Sequence, residues 1–332
     1  MRGIVNLLNN HAKHNYELSH GCNTVPVCWV CGSEELQLAR QGVSNISTKD
    51  LKITDSRYGT TMTLFRCGKC GFIQCSAVNV LDFYEELKDP EYIGSSSQRI
   101  RQFQKLIQQT GKYIKQKKPN VLDIGAGTGL FINEARKCGW FAHGLEPSVW
   151  LSEQARQQGI PVITGTFPDR NCPGPYDAIF LTDVIEHLEN PVSVVSELSS
   201  HLKDDGVVFV TTPNVSSFMA KIMGWKWWHY RIAHVGYYNK KTLSMLMARG
   251  GLIPVRFLYA KWCFDGKYVF ERMSSYFPFL QGRKCPSFFE KTTITANFFD
   301  SYIAVFQKTN VNNMKELQNE NKEINKGLTK ND

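Results

Sequence analysis

Apolar and polar positions follow two rhythms along the middle of the chain. Between about residues 118 and 308, short apolar runs recur: "NVLDI", "FAHGLE", "PVIT", "YDAIFLT" and "GVVFVTT". Between most of them the apolar positions fall at helical spacing, in "GLFINEARKCG", "SVWLSEQARQQG" and "PVSVVSELSSHLK". Apolar strands alternating with helices of about 10 to 15 residues predict a parallel sheet covered on both faces, a doubly wound α/β domain. "NKKTLSMLMARGG" predicts one more helix, and "PVRFLYA" and "SYIAVFQK" a closing pair of strands. Upstream, Ile100, Phe103, Ile107 and Ile114 stand at helical spacing in a connector over residues 81–117. Residues 1–80 lack this rhythm and hold two cysteine pairs. Residues 309–332 are nearly all polar and predict a disordered tail.

Composition adds limits rather than direction. A chain of 332 residues with 42% hydrophobic positions has room for one large domain and a small one. No apolar run reaches the roughly 18 to 20 residues that span a bilayer. The first residues turn polar too soon for a signal peptide, so a cytoplasmic protein is expected. The net charge of +9 favours anionic partners such as nucleotide-linked substrates, nucleic acid or acidic lipid. No dense Lys/Arg run accompanies it, and the same excess also serves solubility.

The strand "VLDI" runs into Gly125, Gly127 and Gly129, and the chain then turns helical. Strand, glycine turn and helix let bare backbone approach a ligand at the carboxyl end of a sheet. A phosphate-cradling Walker loop is excluded, because no Gly-Lys-Ser/Thr follows. The dinucleotide fingerprint would place glycine where Leu130 stands. About 20 residues on, "FAHGLEPS" sets Glu146 where a carboxylate accepts hydrogen bonds from both ribose hydroxyls of an adenosine ligand.

Together, "VLDIGAGTG", "GLEPS", "YDAIFLTDVIEHLENP" and "GVVFVTTPN" resemble class I S-adenosylmethionine-dependent methyltransferases. The likeness is to the small-molecule branch that includes ubiquinone-type O-methyltransferases and sugar methyltransferases. It implies a Rossmann-like sheet of seven strands in the order 3-2-1-4-5-7-6, the last antiparallel. It also implies that Gly125 and Gly127 lie against the methionine part of the cofactor, with Asp123 at the mouth of the turn and Glu146 on the ribose. Thr166 and Phe167 would flank the adenine, and Thr182 and Asp183 would face the methionine end and the acceptor. The acidic residue often found beside the adenine is lacking; Asp169 stands a little late for it.

Methyl transfer is an in-line displacement governed by proximity, and a base is needed only where the acceptor loses a proton. Histidine suits that task near neutral pH. His187, in "DVIEHLENP", follows the fourth strand. His234, in "HYRIAHVGYYNKKTL", resembles the His-x-x-Tyr-Phe element of sugar C-methyltransferases, with Ala233 where those carry a glutamate and Tyr237 keeping the aromatic position. The aromatic stretch over residues 216–231, "SSFMAKIMGWKWWHYR", reads either as a lid over the site or as a segment in peripheral contact with a membrane. "ERMSSYFPFL", residues 271–280, extends either reading.

"CWVC" (Cys28, Cys31) and "CGKC" (Cys67, Cys70) present two thiolates each, which together complete the tetrahedral shell of a structural zinc. His20, Cys22 and Cys75 stand near enough in sequence to substitute. Sugar C-methyltransferases carry a similar N-terminal zinc-binding module.

The combined expectation is a zinc-binding β module over residues 1–80 and a methyltransferase domain over 118–308, acting on a small molecule by O- or C-methylation, a sugar or glycan-linked intermediate foremost. Methylation of a prenylated phenol at a membrane, RNA methylation, and a non-enzymatic zinc-ribbon interaction protein stand as rivals. Nucleic acid is the less favoured partner.

Overall fold

Both cysteine pairs sit in tight turns of the same construction. In the computed structural model, which describes residues 27–309 apart from 54–56, 77–79, 95, 260–261, 277–279, 281 and 291, Gly32 donates its amide to the Cys28 carbonyl and Gly71 to that of Cys67. Both glycines adopt left-handed backbone, φ +71° and +79°, which closes each knuckle. His20, Cys22 and residues 310–332 of the tail lie outside the described residues.

Between the knuckles, strand β1 (Leu36–Arg40) pairs antiparallel with β2 (Leu64–Cys67), which pairs with β3 (Ile73–Cys75). Helices α1 (Val80–Glu85), α2 (Pro90–Gly94) and α3 (Ser96–Thr110) make up the connector. Phe103 of α3 meets Phe131 edge to face at 5.8 Å, fixing α3 on the next layer.

The alternating region then unfolds in register with its pattern. It runs β4 (Asn120–Ile124), α4 (Leu130–Lys137), β5 (Phe141–Glu146), α5 (Val149–Gln157), β6 (Val162–Thr164), β7 (Tyr176–Thr182), α6 (Pro191–Leu198) and β8 (Leu202–Pro213). After β8 come α7 (Phe218–Met223), the short β9 (Gly236–Tyr237) and α8 (Lys240–Arg249). The chain continues through β10 (Leu252–Tyr259), β11 (Trp262–Asp265), α9 (Gly266–Tyr276), β12 (Thr293–Ala296) and β13 (Ser301–Lys308).

Seven strands form one sheet in the order β10-β13-β8-β7-β4-β5-β6, parallel except for β13, which is antiparallel to both neighbours. This is the order that the resemblance implies. Both faces are packed, so its central strands are apolar throughout. Leu122, Ile124, Ile179 and Leu181 bury one face beneath α6 and α8. On the other, Phe180 contacts Phe131 and Phe209, with ring centroids 4.5 and 4.6 Å apart. Truncating such a phenylalanine costs about 3 to 5 kcal/mol.

β9 does not join this sheet. It pairs with β3, so the cysteine ribbon takes its fourth strand from far along the chain. The Cys75 amide donates to the Val235 carbonyl beside it, and Ile73, Cys75, Trp227 and Val235 share one core. β11 and β12 form a separate two-stranded sheet that the apolar pattern does not signal. Among the described residues no helix is long and apolar enough to cross a membrane.

Candidate active site

A cavity of about 1670 Å³ opens along the carboxyl edge of the parallel strands, where ligands of open α/β sheets bind. That exceeds the roughly 300–1,000 Å³ of a usual ligand pocket and gives room for two small molecules. Its floor is the glycine turn, the ends of β5 and β7 and the loop after β6; α3 and the segment after β8 wall it.

In one half of the cavity, backbone and acid meet. Gly125 and Ala126 both donate to the Leu145 carbonyl, holding the turn against β5. A Cβ on Gly125 would lie 2.5 Å from the Val184 side chain, and one on Gly127 2.7 Å from the Tyr92 hydroxyl. Glu146 accepts from the Gly127 amide at 2.7 Å and the Ser148 amide at 2.9 Å. Burial nevertheless raises its pKa to about 7, the two amides opposing that rise. Asp123, buried beside it, is pushed well above the usual carboxylate range by burial and then by Glu146. Asp183, held at φ +55° and exposed toward the cavity, is raised above the usual carboxylate range by the desolvating cavity walls against the pull of Arg99. The Arg99 guanidinium lies over the Tyr92 ring, 3.4 Å from its centroid.

The other half gathers histidines. His187 ends a 3₁₀ turn, Ile185–His187, after β7. Its Nδ1 lies 2.8 Å from the Ala233 carbonyl and 2.6 Å from the Tyr84 hydroxyl. A carbonyl only accepts, so this network assigns the proton to Nδ1 and leaves the lone pair on Nε2. Burial, with Arg231 nearby, holds His187 down to about 4. His234 meets His187 edge to face at 4.9 Å. Its Nδ1 is buried without a partner among the described residues, and burial, then His187, hold it well below the ordinary histidine range. Donor atoms of Glu186, His187 and His234 lie within 4.8 Å of one another, a set that can share a proton or hold a cation. Glu186 accepts from the Thr212 hydroxyl at 3.0 Å through one oxygen; the other is buried and unpartnered among the described residues.

Residues 96–255 match the family model described as "Methyltransferase domain". They are a class I S-adenosylmethionine-dependent methyltransferase domain. The chain is 28% identical to the ubiquinone biosynthesis O-methyltransferase of Xylella fastidiosa over 34% of its own length and 51% of the relative's. It is 29% identical to that of Vibrio campbellii, over 31% and 48%. The chain thus spans about half the length of the curated relatives it matches. Among solved structures, an Archaeoglobus fulgidus SAM-dependent methyltransferase aligns with a TM-score of 0.47 at 17% identity, covering 66% of this chain and all of that one (100%). The magnesium protoporphyrin IX methyltransferase of Synechocystis, with bound SAH, aligns at 0.43 and 13% identity, over 70% and 90%.

Within the methyltransferase domain, Asp123, Gly125, Gly127, Glu146, Thr166, Phe167, Thr182, Asp183, His187 and His234 all line the one cavity. Asp169 does not; its carboxylate accepts from the Asn171 amide. Tyr84, Tyr92, Arg99, His229, Arg231 and Asp300 also line it, though no local motif marks them. The segment over 216–231 divides by side. Met219, Met223 and Trp228 face the cavity, whereas Phe218 and Ile222 are 73% and 64% exposed, flanking the exposed Lys221. Of residues 271–280, Met273 lines the cavity and 277–279 lie outside the described residues.

The four knuckle cysteines form a separate centre. Cys28 and Cys70 Sγ are 3.6 Å apart, as are Cys31 and Cys67, and all four lie within 4.8 Å of one another. Thiolates about 2.3 Å from one tetrahedral ion have this spacing. Cys75 is not in the cluster.

The Glu146 shift gives a test. A ligand hydroxyl prefers the ionised carboxylate, which is the stronger acceptor. Glu146 carries its proton below about pH 7 and loses it above. S-adenosylhomocysteine affinity should therefore rise from pH 6 to pH 8 and level off. Glu146→Gln should bind more weakly and lose its share of the rise, leaving what Asp183 contributes. Calorimetry at three pH values decides it; a flat wild-type profile contradicts the assignment.

Proposed function

We propose that this chain transfers the methyl group of S-adenosylmethionine to a small molecule, an alcohol oxygen of a sugar or glycan-linked intermediate being the acceptor we favour. The observation that carries the reading is one cavity joining the glycine turn and Glu146 to two neutral histidines, His234 buried and His187 half-buried. The likeness of His234 and Tyr237 to the sugar-methyltransferase element supports the acceptor class. Glu146 would hold the ribose, Gly125 and Gly127 would admit the methionine chain, and Thr166 and Phe167 would flank the adenine. Thr182, Asp183 and Asp123 would order the methionine end. When bound, the cofactor supplies an electrophilic methyl group.

This chain's residues supply position and a proton acceptor. His234 Nδ1, buried and unpartnered among the described residues, would accept the acceptor's hydroxyl hydrogen. His187, its Nδ1–H tied to Ala233, would turn Nε2 to the same space. A structural zinc held by Cys28, Cys31, Cys67 and Cys70 completes the reading, as does a cytoplasmic location with the outer face of residues 216–231 available to a membrane.

Incubation with methyl-labelled cofactor and a panel of sugars, sugar nucleotides and phenols, read by mass spectrometry and NMR, tests the class. Label on a phenol alone favours the membrane alternative. For the base, His234→Ala should lower turnover roughly 10²- to 10⁴-fold while cofactor affinity stays constant. His234→Gln should be nearly as slow, since an amide takes no proton. If His187→Ala is the more damaging and His234→Ala is close to wild type, the roles are reversed.

A further inference from the structure

Arg231, on the cavity wall, forms no ion pair among the described residues. Its Nη2 donates to the backbone carbonyls of Lys52 and Ile53, at 3.0 and 3.1 Å. Its Nε is buried with no partner among the described residues. Arg231 is half-buried, with its Nε dry and unpaired, and a guanidinium so placed is completed by an oxyanion that accepts from its free N–H groups. Lys52 lines the same wall, so two cations border this part of the cavity.

The position matters as much as the charge. Arg231 is three residues before His234, and its charge acts on Tyr84, Glu186, His187 and His234 alike. An anion held here would stand beside the histidines. Arginine presents a planar fork that matches carboxylate and phosphate oxygens.

We propose that Arg231, with Lys52 beside it, is an oxyanion subsite, and that the methyl acceptor carries a phosphate or carboxylate group next to the hydroxyl it presents to His234. The inference rests on the methyltransferase reading of this cavity and narrows its substrate class to anionic acceptors. The sequence's net charge of +9 suits the approach of such a molecule.

The test uses the full chain saturated with S-adenosylhomocysteine, titrated calorimetrically with inorganic pyrophosphate in one arm and benzoate in the other. One arm should show saturable binding that weakens with salt, and the stronger arm names the source of the oxyanion. Arg231→Gln, whose amide can still donate to the two carbonyls, should weaken that binding at least about tenfold, one lost charge-assisted hydrogen bond being worth that much. S-adenosylhomocysteine affinity should stay within about twofold. Should the glutamine variant fail to fold, Lys52→Gln should weaken the same arm and Arg231→Lys should retain part of the binding. Wild-type protein that binds S-adenosylhomocysteine but neither anion overturns this subsite alone. Anion binding unchanged in both Arg231→Gln and Lys52→Gln also overturns it. Protein that does not bind S-adenosylhomocysteine at all overturns the methyltransferase reading instead.

Discussion

Gly127→Val is expected to abolish measurable S-adenosylhomocysteine binding. Three effects act together at that position. Gly127 holds φ +54°, where a β-branched residue is a genuine outlier and an ordinary side chain costs roughly 1 to 2 kcal/mol. Its Cβ would stand 2.7 Å from the Tyr92 hydroxyl, so the ring must leave the cavity wall and disturb its stacking with Arg99. Its amide donates to Glu146, so any shift of the turn also moves the carboxylate placed to hold the ribose. Gly139→Val separates strain from site. Gly139 has φ +84° and nothing within 4 Å of a built Cβ, so that variant should lose stability and keep its affinity. Equal binding by wild type and Gly127→Val in a calorimetric titration would contradict the placement of the cofactor.

The second large effect is expected at the thiolate centre. Elemental analysis should find about one zinc per chain, and Cys67→Ser or a strong chelator should collapse folding yield and melting temperature. Structural zinc contributes about 10 to 16 kcal/mol of apparent binding free energy in small peptides, more than most domains hold in reserve. The centre here is no appendage. Cys28, Cys67 and Cys70 pack in one core with Phe72, Tyr238 and Met247, and Arg249 of α8 donates to the Val30 carbonyl in the first knuckle. Loss of the ion should therefore loosen α8 against the large sheet as well as the ribbon. Metal-free protein with an unchanged melting curve would refute the assignment.

What the sequence made legible was local. The glycine turn, Glu146 and the cysteine pairs each announce themselves within a few residues, and strands alternating with helices announce a parallel sheet, whose order came only from the family resemblance. What it hid was assembled across distance. Arg99 and Tyr92 come from the connector, Arg231 from the insertion after β8, and Asp300 from the turn just before β13. None has a neighbour in sequence that marks its role. β9 is two residues long, too short for periodicity to register, and its partner β3 lies across the domain. The protonation of Glu146 and the two histidines depends on desolvation by the fold, which no linear pattern reports. The segment over 216–231 shows the same limit. Its aromatic content is plain, yet Trp227 is fully buried and Phe218 mostly exposed, a division that only packing decides.

The pairing of Ile73 with Tyr237 also bears on how the protein is made. A ribosome releases the cysteine ribbon long before it releases β9, so the nascent ribbon waits with one edge open and its apolar face bare. Unpaired edges of this kind invite aggregation, and pairings between distant residues form slowly. Ion capture by the two knuckles, both complete before β9 is made, would hold the ribbon in register until the rest of the chain arrives. Zinc supply during translation, rather than after it, should then govern how much soluble protein a cell accumulates.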